Sequence, residues 1–438
     1  MSIGVLFLMF GVLLAMSVPV SATLAISSFL GRPGVIGNIA AGDMSAVMTT
    51  MASLVRNFFT GVDAFTLLAI PMFILAGGIM ARGGISGKLF NVFAYFLANK
   101  TAGMPCAVIL STLFYSLTSG SGPATVAAVG SMAIPLLVQL GYDIKWSTAL
   151  IAVTGGVGVI SPPSIPYVLF GAATGTSIGD LFIAGIIPAI LIISLLLIYA
   201  YLYCRKNGED KEKLMEYHRE VRKNGFWVIF KDSFWAMLAP IIILGSIYSG
   251  IAAPTEAAVI AVLYSMFLSV FVYKTIRFKE LREIFVNCAN TYSSLLFILA
   301  AAVAFGRTLT LMQAPQAVAE AMLGTFTNPI VLLLMINLFM LAIGTFLDTT
   351  PAILIQAPLF LPIAIALGIH PVHFGVMMVV NKAIGFVTPP LGVNIFVSSS
   401  LTGLPMMTII KHSMIPLITF FIALVVIALV PWFSMVLL

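Results

Sequence analysis

The chain has 438 residues, 61% of them hydrophobic and only 8% charged, a composition that excludes a soluble globular protein. More than half of the charged residues fall in two segments, 205–232 and 274–283, so the net charge of +6 does not form a basic surface for nucleic acid. Clustered basic residues of this kind mark the cytoplasmic loops of membrane proteins. We therefore expect an all-α protein that crosses the lipid bilayer many times and has no nucleic-acid partner.

Residues 1–60 are predicted to form N-terminal scaffold helices. The apolar run from Ile3 to Leu30 has no basic residues before it, so it indicates a first transmembrane helix rather than a cleaved signal peptide. Later uncharged runs, such as residues 101–142 and 146–179, exceed the roughly 20 residues that cross a bilayer. Together these runs predict about 11 or 12 crossings or near-crossings.

Residues 61–176 and 286–403 share a pattern of glycines and prolines. In a gapless alignment Pro135 matches Pro362, and a Pro-Pro pair in each segment falls on its counterpart. The spaced glycines and prolines carry this comparison, because apolar letters match by chance. The two segments are therefore predicted to be one structural unit used twice, repeat 1 and repeat 2.

Each Pro-Pro pair interrupts apolar sequence, in the segments Gly158–Pro163 and Gly385–Pro390. Such a pair removes two backbone donors and disfavours the helical conformation of the residue before it, so a helix breaks and carbonyl groups are freed. Lipid cannot satisfy these carbonyls, whereas a bound cation or a polar cavity can. Two broken helices at matching positions indicate the central binding site of a secondary transporter.

A long uncharged segment with a small and polar centre precedes each broken helix. The centres are residues 116–123 (SLTSGSGP) and 344–351 (GTFLDTTP). Glycine, serine, threonine and proline favour turns, and they supply backbone groups that a protein cavity must satisfy at this depth. We predict that each centre is the tip of a re-entrant hairpin.

The charged segments orient the two repeats. The connecting scaffold helices, residues 177–285, carry the cytoplasmic loops 205–232 and 274–283, with room for two crossings between the loops. The following helix leaves the cytoplasm, so the broken helix of repeat 2 runs opposite to that of repeat 1. Residues 404–438 are predicted to form a C-terminal helix. This arrangement predicts the inverted-topology repeats that are common in transporters.

Asp348 lies alone between uncharged runs of 27 and 33 residues. An intramembrane carboxylate is a functional candidate by default, although Asp348 could instead begin a helix near the surface with Thr349 and Thr350. Sodium prefers carboxylate, hydroxyl and carbonyl oxygens. The predicted sodium ligands are groups at the tips and breaks: Ser119, Gly120, Gly155, Gly158 and Ser161 in repeat 1, and Asp348, Thr349, Gly385 and Thr388 in repeat 2.

Lys382 lies within the second broken helix, where it could pair with an anionic substrate or extend to the membrane interface. Arg82 and Arg307 occupy matching helix ends in the two repeats and are interpreted as interfacial anchors. The predicted substrate-binding residues are Ser121, Ser164, Lys382 and Asn394.

Five motifs carry a family resemblance: residues 69–77 (AIPMFILAG), 119–128 (SGSGPATVAA), 161–164 (SPPS), 253–258 (APTEAA) and 388–394 (TPPLGVN). They resemble the large membrane subunit, DctM or SiaM, of tripartite ATP-independent periplasmic (TRAP) transporters, over nearly the whole chain. The resemblance implies elevator-type, sodium-coupled uptake of an organic acid anion, of the sialic acid or C4-dicarboxylate class, across the bacterial cytoplasmic membrane. Na⁺ would be the coupling ion, without an organic cofactor.

The resemblance also implies two protein partners. A periplasmic substrate-binding protein would deliver the substrate, and a small four-helix membrane subunit of the DctQ or SiaQ type would complete the scaffold. We expect the small subunit to be a separate chain, because the sequence begins directly with the large subunit.

Three other functions remain open from the residues alone. Proton coupling would use Asp348 or a histidine relay, and an ion channel would need a pore-lining ring or a filter motif. An intramembrane aspartyl protease needs two carboxylates, and only Asp348 falls convincingly within the membrane. The sequence has no phosphate-binding loop for ATP. We therefore predict that the chain is not an enzyme.

Overall fold

The structure is a computed structural model that describes residues 2–223, 225–325 and 328–438. Met1, Asn224, Phe326 and Thr327, which fall in the predicted segments 1–60, 205–232 and 286–403, lie outside the described residues. The described residues form helices and no strands, and nine of the helices found among them are long and apolar enough to cross a membrane. The prediction of an all-α polytopic membrane protein is confirmed.

The N-terminal segment forms four helices rather than beginning with one long one. They are α1 (Ile3–Ala15), α2 (Val20–Leu30), α3 (Val35–Ala40) and α4 (Met44–Val62). The prediction of a single helix from Ile3 to Leu30 is wrong, because Ser17 has a positive φ and Pro19 begins a new helix. Helix α1 folds back on α2, so that Leu6 packs against Gly31.

Repeat 1 contains a hairpin and a broken helix. After a 3₁₀ turn (Phe65–Leu68), its helices are α5 (Ala69–Arg82), α6 (Ile85–Leu97), α7 (Gly103–Ser119), α8 (Gly122–Gln139), α9 (Ile144–Thr154) and α10 (Ile165–Thr174). Helices α7 and α8 form the hairpin, whose two-residue tip is Gly120 and Ser121. Between α9 and α10 the chain passes through a 3₁₀ turn (Gly155–Val159) and the Pro162–Pro163 pair.

The connecting helices lead from repeat 1 to repeat 2. They are α11 (Ile178–Asn207), α12 (Lys211–Lys223), α13 (Phe226–Tyr248), α14 (Pro254–Phe267) with a π-helical turn (Leu268–Val272), and α15 (Phe278–Leu311). Local interactions fix the start of α14. Glu256 accepts a hydrogen bond from the Ala253 N–H at 2.8 Å, and Pro254 occupies the first turn of the helix.

Repeat 2 has the same pattern as repeat 1. Its helices, with those that follow, are α16 (Ala314–Thr325), α17 (Pro329–Phe346), α18 (Thr349–Ala366), α19 (Pro371–Gly385), α20 (Val393–Thr402), α21 (Met406–Leu429) and α22 (Trp432–Met435). Helices α17 and α18 form the second hairpin, with Leu347 and Asp348 at its tip. The second break, between α19 and α20, contains the Pro389–Pro390 pair.

The two hairpins enter from opposite faces of the protein. We define the inner face as the one that carries the basic segments 205–232 and 274–283, and the outer face as the opposite one. The Ala102 N–H at the start of α7 donates to Glu209 at 2.9 Å, so hairpin 1 enters from the inner face. Helix α15 begins beside Arg82, which pairs with Glu283 at 2.6 Å, and crosses to the outer face, from which hairpin 2 enters. The predicted inverted repeats are confirmed.

The tip of hairpin 1 packs directly against the first broken helix. The Ile165 N–H donates to the Gly120 carbonyl at 3.2 Å, and Gly120 has a φ of +60° that favours glycine. A Cβ added at Gly158 would lie 2.7 Å from Thr125 Oγ1 and 2.8 Å from the Ser121 carbonyl oxygen. Glycine at these two positions therefore allows the close approach of tip and break.

The close packing at Gly158 predicts a stability effect. Gly158→Ala should lower the free energy of unfolding by about 1–3 kcal/mol, because the added carbon overpacks the backbone of the hairpin tip. Thermal unfolding of the purified protein in detergent measures the change. Gly245→Ala in α13 is the control, since nothing lies within 4 Å of its added carbon. Equal stability of the two variants would contradict the packing.

The orientation can be tested by cysteine labelling of intact cells. In a background where the three native cysteines are alanine, we compare Gln316→Cys on α16 with Lys211→Cys on α12, both of them at exposed positions. A membrane-impermeant maleimide should label the first variant in intact cells and the second only after lysis. Labelling in the reverse order would overturn the assignment of the two faces.

Candidate functional site

A cavity of about 120 Å³ lies at the centre of the protein, where the two hairpin tips and the two breaks meet. Four of the predicted site residues line it: Gly120 and Ser121 from hairpin 1, and Asp348 and Thr349 from hairpin 2. Val159 and Phe386 line it from the two breaks. The structure thus brings together groups that are 227 or more residues apart in the sequence.

Oxygen atoms surround the first break in repeat 1. The Ser119 hydroxyl is 2.8 Å from Thr125 Oγ1, which in turn donates to the Ser121 carbonyl at 2.8 Å. Ser161 is fully buried and its hydroxyl has no hydrogen-bond partner among the described residues. Ser164 is also buried, but its hydroxyl donates to the Val159 carbonyl and so shapes the break. Hydroxyl and carbonyl oxygens of this kind are the ligands that sodium prefers.

Asn394 of repeat 2 completes this oxygen-rich region of repeat 1. Its Nδ2 donates to the Ala152 carbonyl at 3.0 Å, and its side chain packs against Gly122 and Gly155. The amide oxygen is buried and has no partner within the described part of the chain. Asn394 was predicted to bind substrate, and it does not line the central cavity. Its unpartnered oxygen instead lies beside Gly122 at the start of α8. We refer to Ser119, Ser121, Thr125, Gly155 and Asn394 together as the repeat 1 cage.

Thr125 is the member of this cage that sequence reasoning missed. It lies one helical turn after Ser121, so its hydroxyl falls back on the tip. The sequence signal for Thr125 was its position four residues after Ser121 at the start of a predicted helix. We did not single it out, because the predicted tip was defined by its Ser, Gly and Pro residues.

Asp348 begins α18 and lines the central cavity. Its carboxylate faces the backbone N–H groups of Thr349 and Thr350, the position of a helix N-cap. The side chain also borders the cavity, so the helix-start interpretation and the ligand interpretation both describe its position. Its carboxylate is the one acidic group among the residues lining this cavity.

The second break is held mainly by its own repeat. The Thr388 hydroxyl donates to the Ile384 carbonyl at 2.8 Å, and the Leu391 N–H donates to the Thr345 carbonyl at 3.2 Å. Gly385 packs against the Gly344 carbonyl, where an added Cβ would lie at 2.9 Å. Thr388 and Gly385 do not line the central cavity, although both were predicted as sodium ligands beside Asp348.

Lys382 is buried within repeat 2 and does not extend to an interface. Its side chain is 2% exposed, and its ammonium group donates to the Met340 carbonyl at 2.7 Å. No carboxylate of the described residues pairs with it, and it does not line the central cavity. Lys382 therefore places its amino group between α19 and α17 rather than at the central cavity.

Two larger cavities lie on either side of the central one along α15. The outer cavity, about 620 Å³, is bordered by Arg307 near the outer end of α15. The inner cavity, about 470 Å³, is bordered by Arg82 and Asn287 together with Ser119 and Ser121 of hairpin 1. Leu295 of α15 borders both the inner and the central cavity. The three cavities trace a path from one face to the other.

Solved structures support the fold. The structure of the Alcanivorax borkumensis YdaH transporter superimposes with a TM-score of 0.60, covering 89% of this chain and 88% of that one, at 16% sequence identity. At this identity the likeness concerns the fold alone.

The sequence comparisons identify the family. The isethionate TRAP transporter permease protein DctMQ of Oleidesulfovibrio alaskensis is 38% identical over 423 residues, which cover 97% of this chain but 64% of that protein. The C4-dicarboxylate TRAP transporter large permease protein DctM of Pseudomonas aeruginosa is 37% identical over 391 residues, covering 89% of this chain and 90% of that protein. Residues 7–433 match the sequence model of the tripartite ATP-independent periplasmic transporter, DctM component. The chain belongs to this family, the large permease components of TRAP transporters, and is a multi-pass protein of the bacterial cytoplasmic membrane.

Proposed function

We propose that this protein carries an organic acid anion into the cytoplasm in symport with sodium. The observation that supports this proposal most directly is the central cavity, in which Asp348 of one inverted repeat faces Ser121 of the other. Binding sites between inverted repeats, next to broken helices, are characteristic of secondary transporters. Nothing in this arrangement calls for a reaction that makes or breaks covalent bonds.

Sodium is the proposed coupling ion because of the oxygen atoms that the site offers. The repeat 1 cage presents hydroxyl, carbonyl and amide oxygens without a carboxylate, which suits a hard cation better than a proton. Asp348 supplies carboxyl oxygens at the central cavity. Proton coupling through Asp348 is the competing mechanism, and a channel is a more distant one.

The proposed substrate class rests on the compounds for which the relatives are named and on the chemistry that these compounds share. The two relatives are named for isethionate and for C4-dicarboxylates, which are both small organic anions. Sialic acid, the other class implied by the sequence motifs, is a carboxylate as well. We therefore propose a small organic acid with a carboxylate or sulfonate group as the substrate.

The proposed transport cycle moves the hairpins and broken helices as one body against the scaffold. The outer and inner cavities both border α15, so a displacement along α15 would open the central cavity to one face at a time. We propose two protein partners: a small membrane subunit, and a periplasmic binding protein that delivers the substrate.

The coupling ion is tested by uptake into proteoliposomes that contain the chain and its small subunit, with the binding protein outside. Radiolabelled succinate, isethionate and N-acetylneuraminate are the probes. Uptake of one probe should require an inward sodium gradient. Uptake driven equally well by a proton gradient without sodium would replace sodium symport by the proton-coupled alternative.

Asp348→Asn tests the role of the carboxylate in the same assay. The sodium concentration for half-maximal uptake should rise about tenfold, since the amide keeps the shape of the side chain but removes the charge that attracts the cation. Asp63→Asn, which removes an exposed carboxylate after α4, is the matched control. Unchanged sodium activation in Asp348→Asn would remove this residue from the sodium site.

Lys382→Met separates function from stability. A buried ammonium group without a carboxylate partner costs free energy, so we expect the unfolding temperature of this variant to rise by about 2 °C or more. We expect the uptake rate to fall, because the charge that joins α19 to α17 is lost. Lys279→Met, at an exposed position, is the control. Lower stability with normal uptake would show that Lys382 has only a structural role.

A further inference from the structure

The outer cavity contains two arginines, and neither pairs with an acidic side chain among the residues that the structure describes. Arg32 follows α2, and Arg307 lies near the outer end of α15. Ser53 and Asn57 of α4 line the wall beside them, while Leu354 and Pro358 of α18 line the wall formed by hairpin 2. The cavity therefore lies between the N-terminal helices and the hairpin that carries Asp348.

The guanidinium group of Arg32 is buried and only partly satisfied. Arg32 is 7% exposed, and its Nη1 donates to the Ser53 hydroxyl at 2.8 Å. Its Nε and Nη2 atoms are buried without a hydrogen-bond partner in the described parts of the chain. Two donor atoms of a permanently charged group thus have no protein partner in these parts of the chain.

Arg307 adds a second positive charge to the same cavity. It is exposed and forms no ion pair with any described residue, and it lies close enough to Arg32 for the two charges to repel. Such a pair is unfavourable unless an anion lies between the charges or water screens them. The planar guanidinium fork matches the two oxygens of a carboxylate, or two of a sulfonate.

Arg82, the counterpart of Arg307 in repeat 1, has a different environment. It borders the inner cavity, but it forms an ion pair with Glu283 at 2.6 Å. The positive charge at the inner cavity is therefore neutralised, whereas those at the outer cavity have no ion-pair partner among the described residues. This difference favours anion capture from the outer face and anion release at the inner face.

We propose that Arg32 and Arg307 form an outward-facing capture site for the carboxylate or sulfonate group of the transported acid. This inference rests on the proposed function and adds a binding step before the central cavity. The volume of about 620 Å³ falls within the usual range of small-molecule sites. Leu354 lies one helical turn beyond Thr350, which lines the central cavity, so α18 connects the two sites.

Transport kinetics test the capture site. Arg307→Gln should raise the KM of uptake about tenfold, with little change in the maximal rate, because it removes one charge-assisted contact. Arg307→Lys, which keeps the charge but not the fork, should give an intermediate KM. Arg56→Gln, which removes an exposed positive charge from α4 outside the cavity, is the matched control. A wild-type KM in Arg307→Gln would overturn the proposal while leaving sodium-coupled uptake intact.

A binding measurement that does not depend on transport completes the test. The chain with its small subunit, held in lipid nanodiscs, is treated with the arginine reagent phenylglyoxal, and modification is quantified by peptide mass spectrometry. Succinate, isethionate or N-acetylneuraminate should protect Arg307 and leave Arg56 reactive. Equal modification of Arg307 with and without all three probes would overturn the capture site. Protection of Arg307 in a protein that shows no sodium-dependent uptake would support the site and contradict sodium symport.

Discussion

The fold depends on satisfying the backbone groups that its two broken helices free at membrane depth. In both repeats the chain after the Pro-Pro pair donates an N–H to a carbonyl of its hairpin: Ile165 to Gly120 at the tip in repeat 1, and Leu391 to Thr345 in the last turn of α17 in repeat 2. Tip and break therefore stabilise each other where lipid could not satisfy either. The tip and break of repeat 1 meet the tip and break of repeat 2, so their polar groups line one shared cavity.

Local patterns predicted the hairpins, the breaks and their inversion, because proline chemistry and basic loops act within a few residues. Features that depend on packing between distant segments were not predictable. Asn394 was predicted to bind substrate, yet its amide donates to the Ala152 carbonyl of the other repeat. The first helix was predicted as one unit because the apolar run from Ile3 to Leu30 continues through the turn at Ser17. Lys382 had two plausible interpretations in sequence, and only the contact with Met340 distinguishes a buried charge from an interfacial one.

The two repeats share a geometry but differ in charge. In the gapless alignment Ser121 corresponds to Asp348, and Gly155 corresponds to Lys382. Repeat 1 therefore has a neutral cage closed by glycine, while repeat 2 has a carboxylate at its tip and an ammonium group within its broken helix. The breaks also differ in exposure, since Pro162 and Pro163 are buried whereas Pro389 and Pro390 are exposed. The two repeats therefore share a backbone arrangement of hairpin and broken helix but differ in the side chains at equivalent positions.

The distribution of charge along α15 gives the proposed coupling a physical basis. An organic anion attracted by Arg32 and Arg307 would next meet Asp348, whose negative charge repels it at the short distances of a 120 Å³ cavity. A cation bound beside Asp348 removes this repulsion, so the anion is stable at the centre only when the cation is present. At the inner cavity Arg82 is already paired with Glu283, so its positive charge attracts the anion less than the charges of the outer cavity do. Under the proposed function, one carboxylate thus makes substrate binding conditional on the ion, the sodium gradient gives transport its direction, and the unequal pairing of Arg82 and Arg307 makes the outer cavity the more attractive one to the anion.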